Sequence, residues 1–189
     1  MKMKKIAFIA SVLLLSIGVA ACGNGSKDSK DSKDSSSKAA SSASSEEVVT
    51  GASISDKPED IIHGLGPDGN WIFALTGDAK LTEDLVVSGT FYDKNDKSSD
   101  VYRKLALYTQ DADKKVTGEF KLTVPKMIVE SPNFKIQNGT IVGDVQVSAE
   151  GFELADSTVE GNVTFDTQEL KDSAKLDTGK VTGTVEVAK

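Results

Sequence analysis

Cysteine and histidine are almost absent from this chain of 189 residues, which holds one Cys and one His. A single Cys excludes a disulfide within the chain and a metal site built from several Cys. A nucleophile activated by a neighbouring base needs a His, or an equivalent base, beside Ser or Cys. His63 ends a short run predicted as a helix, and a helix C-terminus stabilises a surface His. We therefore predict no catalytic residues, no metal site and no cofactor.

Arginine is nearly absent too, since Arg103 is the only Arg among 22 basic residues. The chain has 29 Asp and Glu residues and a net charge of −7. Binding to nucleic acid requires a basic face that meets the phosphates. The acidic balance therefore argues against a nucleic-acid partner.

The one long apolar run covers residues 6–21, after a basic start at residues 1–5. It is shorter than the roughly 20 apolar residues that span a bilayer, and it ends in small residues. This order predicts a secretory signal peptide at 1–21, with an uncleaved anchor as the alternative.

The end of this run carries a specific motif, Val19-Ala20-Ala21-Cys22. It resembles the lipobox of bacterial lipoproteins. The resemblance implies cleavage between Ala21 and Cys22, lipid on the Cys22 thiol, and an extracytoplasmic protein anchored to the cell membrane. Two or three acyl chains suffice for stable anchoring, whereas one is marginal.

Residues 22–55 are rich in Ser, Lys, Asp and Ala, and three tandem Ser-Lys-Asp triplets occupy 26–34. No aromatic residue occurs there, so the segment cannot bury enough apolar surface to offset its ordering entropy. We expect a disordered tether between the lipid and a folded domain at 56–189. A wall-interacting or O-glycosylated stalk is the alternative interpretation.

The clearest pattern in the domain is a threefold repeat at 134–187. The copies, at 134–147, 152–165 and 174–187, align without a gap. Apolar and polar residues alternate within each copy, which is the period of a half-buried strand. Columns of β-branched residues predict that the copies stack as parallel rungs, each burying its inner side against the next.

Two positions in the repeat predict corners. Asn138 and Asp156 stand where a left-handed backbone would turn the chain. A Gly column further along predicts a bend or a close approach between rungs. Its members have an aliphatic residue two positions before and a Val or Phe two positions after: Gly143, Gly161 and Gly183. The same unit occurs earlier at Gly89 and Gly118, and Gly77 is a degenerate copy that is followed by Ala79.

The half of the domain before the repeats is less regular. Pro58 and the acids beside it predict a short helix at 57–63 that stops at Gly64. Residues 105–108 and 116–122 flank a polar turn and predict a hairpin. Pro125 separates two apolar runs, because a central strand does not easily hold proline. Residues 170–176 are compatible with one helical turn.

These patterns favour an all-β fold, a parallel β-helix with an irregular N-terminal half and one short helix. The alternative is an antiparallel meander that closes into a β-sandwich or small barrel. The repeats resemble the parallel β-helix of bactofilin-type, polymer-forming proteins, in Ile141-Val-Gly-Asp-Val145 and Val159-Glu-Gly-Asn-Val163. Bactofilins lie on the cytoplasmic face, so the secretion signal limits what the resemblance implies to shape.

We expect a non-enzymatic, lipid-anchored protein of the cell envelope whose β-helix is a structural or interaction module. Its expected partners are the membrane, through lipid on Cys22, a cell-wall polymer or surface protein, and a second copy that stacks on the terminal rung. One alternative is a lipoprotein that binds a carbohydrate or small solute. The ligand-lining residues would then be aromatic or basic: Trp71, Tyr92, Tyr102, Arg103 and Tyr108. A wall-polysaccharide hydrolase or lyase is the second alternative.

Overall fold

The computed structural model describes residues 52–189, a mostly β structure with two α-helices. The predicted signal peptide, the lipobox with Cys22 and most of the tether lie outside the described residues. One boundary is corrected, because Ala52–Ile54, the last part of the predicted tether, forms the strand β1. Its backbone pairs with residues 72–74, and this pairing sets the start of the folded part before residue 56.

The described residues form fifteen strands, most of them three or four residues long. The helices are α1 (Pro58–Leu65) and α2 (Gln168–Ser173), and Asp93–Asn95 is a short 3-10 turn. In chain order the strands are β1 (Ala52–Ile54), β2 (Ile72–Ala74), β3 (Ala79–Lys80), β4 (Leu85–Val87), β5 (Arg103–Ala106), β6 (Tyr108–Gln110), β7 (Val116–Glu119), β8 (Lys121–Val129), β9 (Phe134–Gln137), β10 (Thr140–Val147), β11 (Glu153–Ala155), β12 (Thr158–Glu160), β13 (Val163–Phe165), β14 (Lys180–Val181) and β15 (Val185–Val187).

Two large sheets contain only parallel pairs. The first sheet has the order β1-β2-β5-β9-β11. The second centres on the long strands β8 and β10, with β3 and β4 beside β8, and β12 and β13 beside β10, followed by β14 and β15. Antiparallel pairing within residues 52–189 is confined to β6 with β7 and to a bridge between Tyr92 and Val101. The antiparallel meander is therefore wrong for the two large sheets.

The pairing register confirms the gap-free alignment of the three copies. Ile136 lies opposite Leu154 in the first sheet, and Val159 lies opposite Val181 in the second. The inward columns form one core, because every second side chain of a strand points to the same face. Phe152 and Phe165 meet edge to face within it, with 6.4 Å between ring centroids.

The glycine unit holds only in part. Gly143, Gly161 and Gly183 stack in one column, and a Cβ added at Gly161 or Gly183 would overlap the carbonyl oxygen of the glycine one level below. Gly118 lies instead in β7 of the hairpin, and Gly89 follows the end of β4. A five-residue pattern of aliphatic residues around Gly fits a bend or a hairpin as well as a corner. The pattern therefore did not predict which of these glycines belong to the stacked column.

Pro125 lies within β8, although proline was expected to separate two runs. The register between β8 and β10 shifts at this point, opposite Gly143. The shift removes the need for a ladder hydrogen bond from the proline nitrogen. One strand therefore continues across the corner.

The predicted helix at 57–63 is confirmed as α1, which runs two residues further. Ile61 and Leu65 are fully buried and pack the helix over the end of the core beside β2 and β4. Gly64 does not stop the helix as expected. It is buried inside the last turn, where a Cβ would overlap the Phe73 ring.

Two of the insertions between strands, the hairpin and α2, correspond to elements predicted from the sequence. The predicted hairpin is shorter than expected, because residues 105 and 106 belong to β5 and only β6 and β7 pair antiparallel. The predicted helical turn at 170–176 is α2, which starts earlier because the Thr167 hydroxyl accepts from the Leu170 amide. α2 packs on β13 and β15, and the Lys171 ammonium donates to the Val185 carbonyl at 3.0 Å.

Candidate ligand groove on the first sheet

One outward column of the first sheet carries mostly charged side chains. The pairing register places its members opposite one another on successive strands: Ile72, Lys104, Lys135, Glu153 and Lys175. Neighbouring strands lie about 4.8 Å apart, so the column extends over roughly 19 Å. Backbone pairing fixes the spacing of these side chains, which makes the column a rigid surface.

A groove of about 740 Å³ runs along this column. The segment between β4 and β5 forms one wall, through Asp93, Asp100 and Tyr102. Asn133 and Gly151 contribute from the loops before β9 and β11. The groove thus combines a flat charged floor with a wall that the regular strands do not provide.

Trp71 and Tyr102 form the aromatic part of the groove. Their ring centroids are 6.1 Å apart with an angle of 55° between the planes. Trp71 is only 6% exposed, and its Nε1 is a buried donor without a partner among the described residues. Trp71 therefore packs against one side of the Tyr102 ring while remaining mostly buried itself.

The lysines Lys104 and Lys135 of the outward column differ in their partners. Lys135 forms an ion pair with Glu153 at 2.8 Å, and its Nζ lies 5.9 Å from the centre of the Tyr102 ring. Lys104 has no carboxylate within ion-pair distance among residues 52–189. Burial, and then the neighbouring Lys135, lowers the pKa of Lys104. The groove therefore contains one half-buried ammonium group that is not neutralised.

The electrostatics of the groove also act on its tyrosines. Burial, followed by the negative charges of Glu153 and Asp93, raises the pKa of Tyr102 to about 12. Burial raises the pKa of Tyr108 as well, while Lys135 acts in the opposite direction. At neutral pH the Tyr102 hydroxyl is therefore a protonated hydrogen-bond donor beside two carboxylates.

Tyr102→Phe tests this environment. The chain has three Tyr, and we expect the last tyrosinate of the wild-type protein to form near pH 12. Absorbance at 295 nm should show that Tyr102→Phe lacks this step, whereas Tyr92→Phe keeps it.

A raised pKa means that the folded state favours the neutral phenol. The Tyr102 contribution to stability is thus complete below pH 10.0 and is lost as the pH rises towards 12. If a tyrosinate still forms near pH 12 in Tyr102→Phe, the raised pKa does not belong to Tyr102.

Arg103, predicted to line a ligand surface, lies in the core instead and is fully buried. Its guanidinium donates to the carbonyl oxygens of Gly64, Gly66, Ser88 and Asn70. It also lies over the Phe91 ring, 4.0 Å from its centre. Alternation explains the error, since neighbours in a strand point to opposite faces and Lys104 has the outward position.

The other predicted ligand residues are placed differently. Trp71 and Tyr102 line the groove. Tyr108 begins β6 near Lys135, and Tyr92 forms a backbone bridge with Val101, so neither side chain is among those that line the groove. The sequence interpretation missed the column from Lys104 to Lys175. The alignment of the copies already placed Lys135, Glu153 and Lys175 in one column, which was the available signal.

Comparison with protein-family models, with curated proteins and with solved structures finds no match for this chain. Within residues 52–189, no cluster of three or more His, Cys, Asp or Glu side chains is arranged to hold a metal ion. Neither helix in the same range has the length and apolar character needed to cross a membrane. The groove is therefore interpreted from its own residues.

Proposed function

We propose that this chain is a non-enzymatic, lipid-anchored protein of the cell envelope, and that its folded part is a parallel β-helix used as an interaction or structural module. Successive levels support the β-helix. After β9, β10 crosses the second sheet, and β11, β12 and β13 repeat this path in parallel register. A chain that returns to each sheet once per level winds around a common core.

The groove on the first sheet is the observation that supports a role as an interaction module. Four members of the outward column line its floor, Ile72, Lys104, Glu153 and Lys175, and the segment between β4 and β5 adds its wall. Side chains held on paired strands are positioned more firmly than side chains on loops. A rigid surface with both charges and an aromatic wall is suited to hold a cell-wall polymer or a surface protein.

Binding of a carbohydrate is the second candidate, and the Trp71–Tyr102 pair favours it. Aromatic rings combine a large apolar face with a polar edge, and such groups contact sugars through both. Glu153 is paired with Lys135, so its carboxylate is held in place as a hydrogen-bond acceptor. These groups suit binding of a polar ligand more directly than they suit cleavage of one.

Substitution of Cys22 tests the anchor. We expect Cys22→Ala to abolish incorporation of radiolabelled palmitate and to move the protein out of the membrane fraction, because Cys22 is the only thiol of the chain. Ser26→Ala, a few residues into the tether, is the matched control and should keep both label and location. Labelling and fractionation of Cys22→Ala that equal those of the control would disprove the lipoprotein assignment.

A further inference from the structure

Lys104 is the group in the groove that most requires a partner. Its side chain is half-buried, and the described part of the chain places no carboxylate beside it. Transferring a charged group out of water is unfavourable unless an opposite charge or several hydrogen bonds compensate. Lys135 lies close enough to lower the pKa of Lys104, but it is paired with Glu153, so Lys104 is the half-buried cation left for an anion.

The rest of the groove offers acceptors. Asp93 and Asp100 lie in the wall, and Glu153 lies beyond Lys135 on the floor. The Asn133 amide nitrogen donates to the Val101 carbonyl at 3.0 Å, which leaves its oxygen as an acceptor. Carboxylate oxygens accept hydrogen bonds from hydroxyl groups, and they repel a ligand that is anionic along its whole length.

We propose that the groove binds a saccharide that carries carboxylate groups, with Lys104 as the residue that receives a carboxylate. This inference rests on the proposed function of the groove as a binding surface. The sugar hydroxyls would donate to Asp93, Asp100 and Glu153, and the protonated Tyr102 hydroxyl would donate to a ring or carboxylate oxygen. A charge-assisted hydrogen bond to Lys104 would orient the sugar along the floor.

The arrangement favours an acidic saccharide over an acidic peptide. An acidic peptide offers one backbone N–H per residue, whereas each sugar unit offers several hydroxyl donors, so a saccharide can satisfy more of the three acidic side chains of the groove. The Tyr102 ring, held by Trp71, adds a flat apolar surface at the wall. A ligand with hydroxyls, carboxylates and a partly apolar ring face satisfies all of these groups together.

Calorimetric titration of the full chain in detergent with tetragalacturonate tests the proposal. We expect saturable binding with a Kd below about 1 mM. The same tetrasaccharide with its carboxyl groups reduced to hydroxymethyl groups should bind at least about tenfold more weakly, because Lys104 then receives no negative charge. Tetraglutamate, as the peptide probe, should also bind at least about tenfold more weakly.

Two Lys variants complete the experiment. Lys104→Met should weaken binding of tetragalacturonate at least about tenfold, with an unchanged circular dichroism spectrum. Lys80→Met removes the same charge from an exposed position in β3, on the other sheet, and should change binding less than about twofold. This control separates a specific contact from the effect of net charge.

Several results would overturn the proposal. They are no saturable binding of tetragalacturonate at about 10 mM, equal binding of the reduced saccharide, equal or tighter binding of tetraglutamate, or Lys104→Met binding like Lys80→Met. None of these results bears on the lipid anchor, which Cys22→Ala tests by labelling and fractionation. Failure of the ligand assignment is therefore distinguishable from failure of the lipoprotein assignment.

Discussion

Replacement of Arg103 with Met is expected to lower the free energy of unfolding by about 3–5 kcal/mol. The guanidinium donates to four backbone carbonyl oxygens, two of which, those of Gly64 and Gly66, lie at the C-terminal end of α1. The last carbonyls of a helix have no partner within it, and a positive charge there also offsets the helix dipole. Met fills a similar volume but donates no hydrogen bond. The Gly64 and Gly66 oxygens then keep only the backbone amides of Asn70 and Gly69, and the Ser88 and Asn70 oxygens lose the guanidinium.

Burial lowers the pKa of Arg103 to about 10, which is still high enough to keep the group charged at neutral pH. Arg103→Lys preserves the charge, but one ammonium group cannot reproduce the planar set of donors that reaches four acceptors. We therefore expect the stability of Arg103→Lys to lie between that of the wild type and that of Arg103→Met. Urea unfolding of the full chain, followed by circular dichroism, measures all three.

Lys104→Met is the matched control for this prediction, since it is the next residue in β5 and faces outward. It should change the free energy of unfolding by less than about 1 kcal/mol, as expected for a substitution outside the core. Equal stabilities of Arg103→Met and Lys104→Met would show that the backbone amides of Asn70 and Gly69 are sufficient for the carbonyls near α1. The anchoring role of Arg103 would then be wrong.

The repeats allowed the parallel stacking to be predicted from the sequence. Ile141 and Val159 occupy equivalent positions of copies that align without a gap, and the structure places them opposite each other in β10 and β12. Asn138 and Asp156 were predicted to turn the chain with a left-handed backbone, and both have a φ near 50°. These features are local or periodic, so the sequence expresses them directly.

The role of Arg103 was not predictable in the same way. Its partners, such as Ser88 and Gly64, are brought together only when β4, β5 and α1 pack. A lone Arg near three Tyr residues fits a ligand surface as well as it fits a core. The side of the strand to which it points decides between the two, and that depends on where β5 begins.

The groove is predictable only in part for a similar reason. The repeat alignment contains Lys135, Glu153 and Lys175, but Lys104 belongs to a level whose length is changed by the hairpin β6–β7. The wall comes from the segment between β4 and β5, which is longer than the connections at the same place after β8, β10 and β13. Insertions do not repeat along the sequence, so the repeat pattern does not predict where they pack on the sheet.

Gly143→Ala is expected to destabilise the protein by at least about 3 kcal/mol and to lower the Tm by more than about 10 °C. Gly143 has a φ of 145°, a conformation that residues with a side chain rarely adopt. A Cβ there would also overlap the Val124 carbonyl oxygen of β8, a backbone atom that cannot move aside by a side-chain rotation. Both effects act at the corner where β8 and β10 remain paired on either side of a register shift.

Gly118→Ala in the hairpin is the matched control. Its nearest neighbour would be the Thr109 hydroxyl at 3.1 Å, which can rotate away, so the Tm should change by only a few degrees. Differential scanning calorimetry of both variants separates the loss of a glycine in general from the loss of the corner. If Gly143→Ala and Gly118→Ala have the same Tm, the backbones of β8 and β10 do not approach each other closely at Gly143. The proposed β-helix then lacks the close contact at this corner. If Gly143→Ala melts far below Gly118→Ala, Gly is required at this corner through both its φ and its contact with Val124. Gly161→Ala isolates the contact, because a Cβ there would overlap the Gly143 carbonyl oxygen while the φ of Gly161 is not in the positive region, so it should also lower the Tm, but by less.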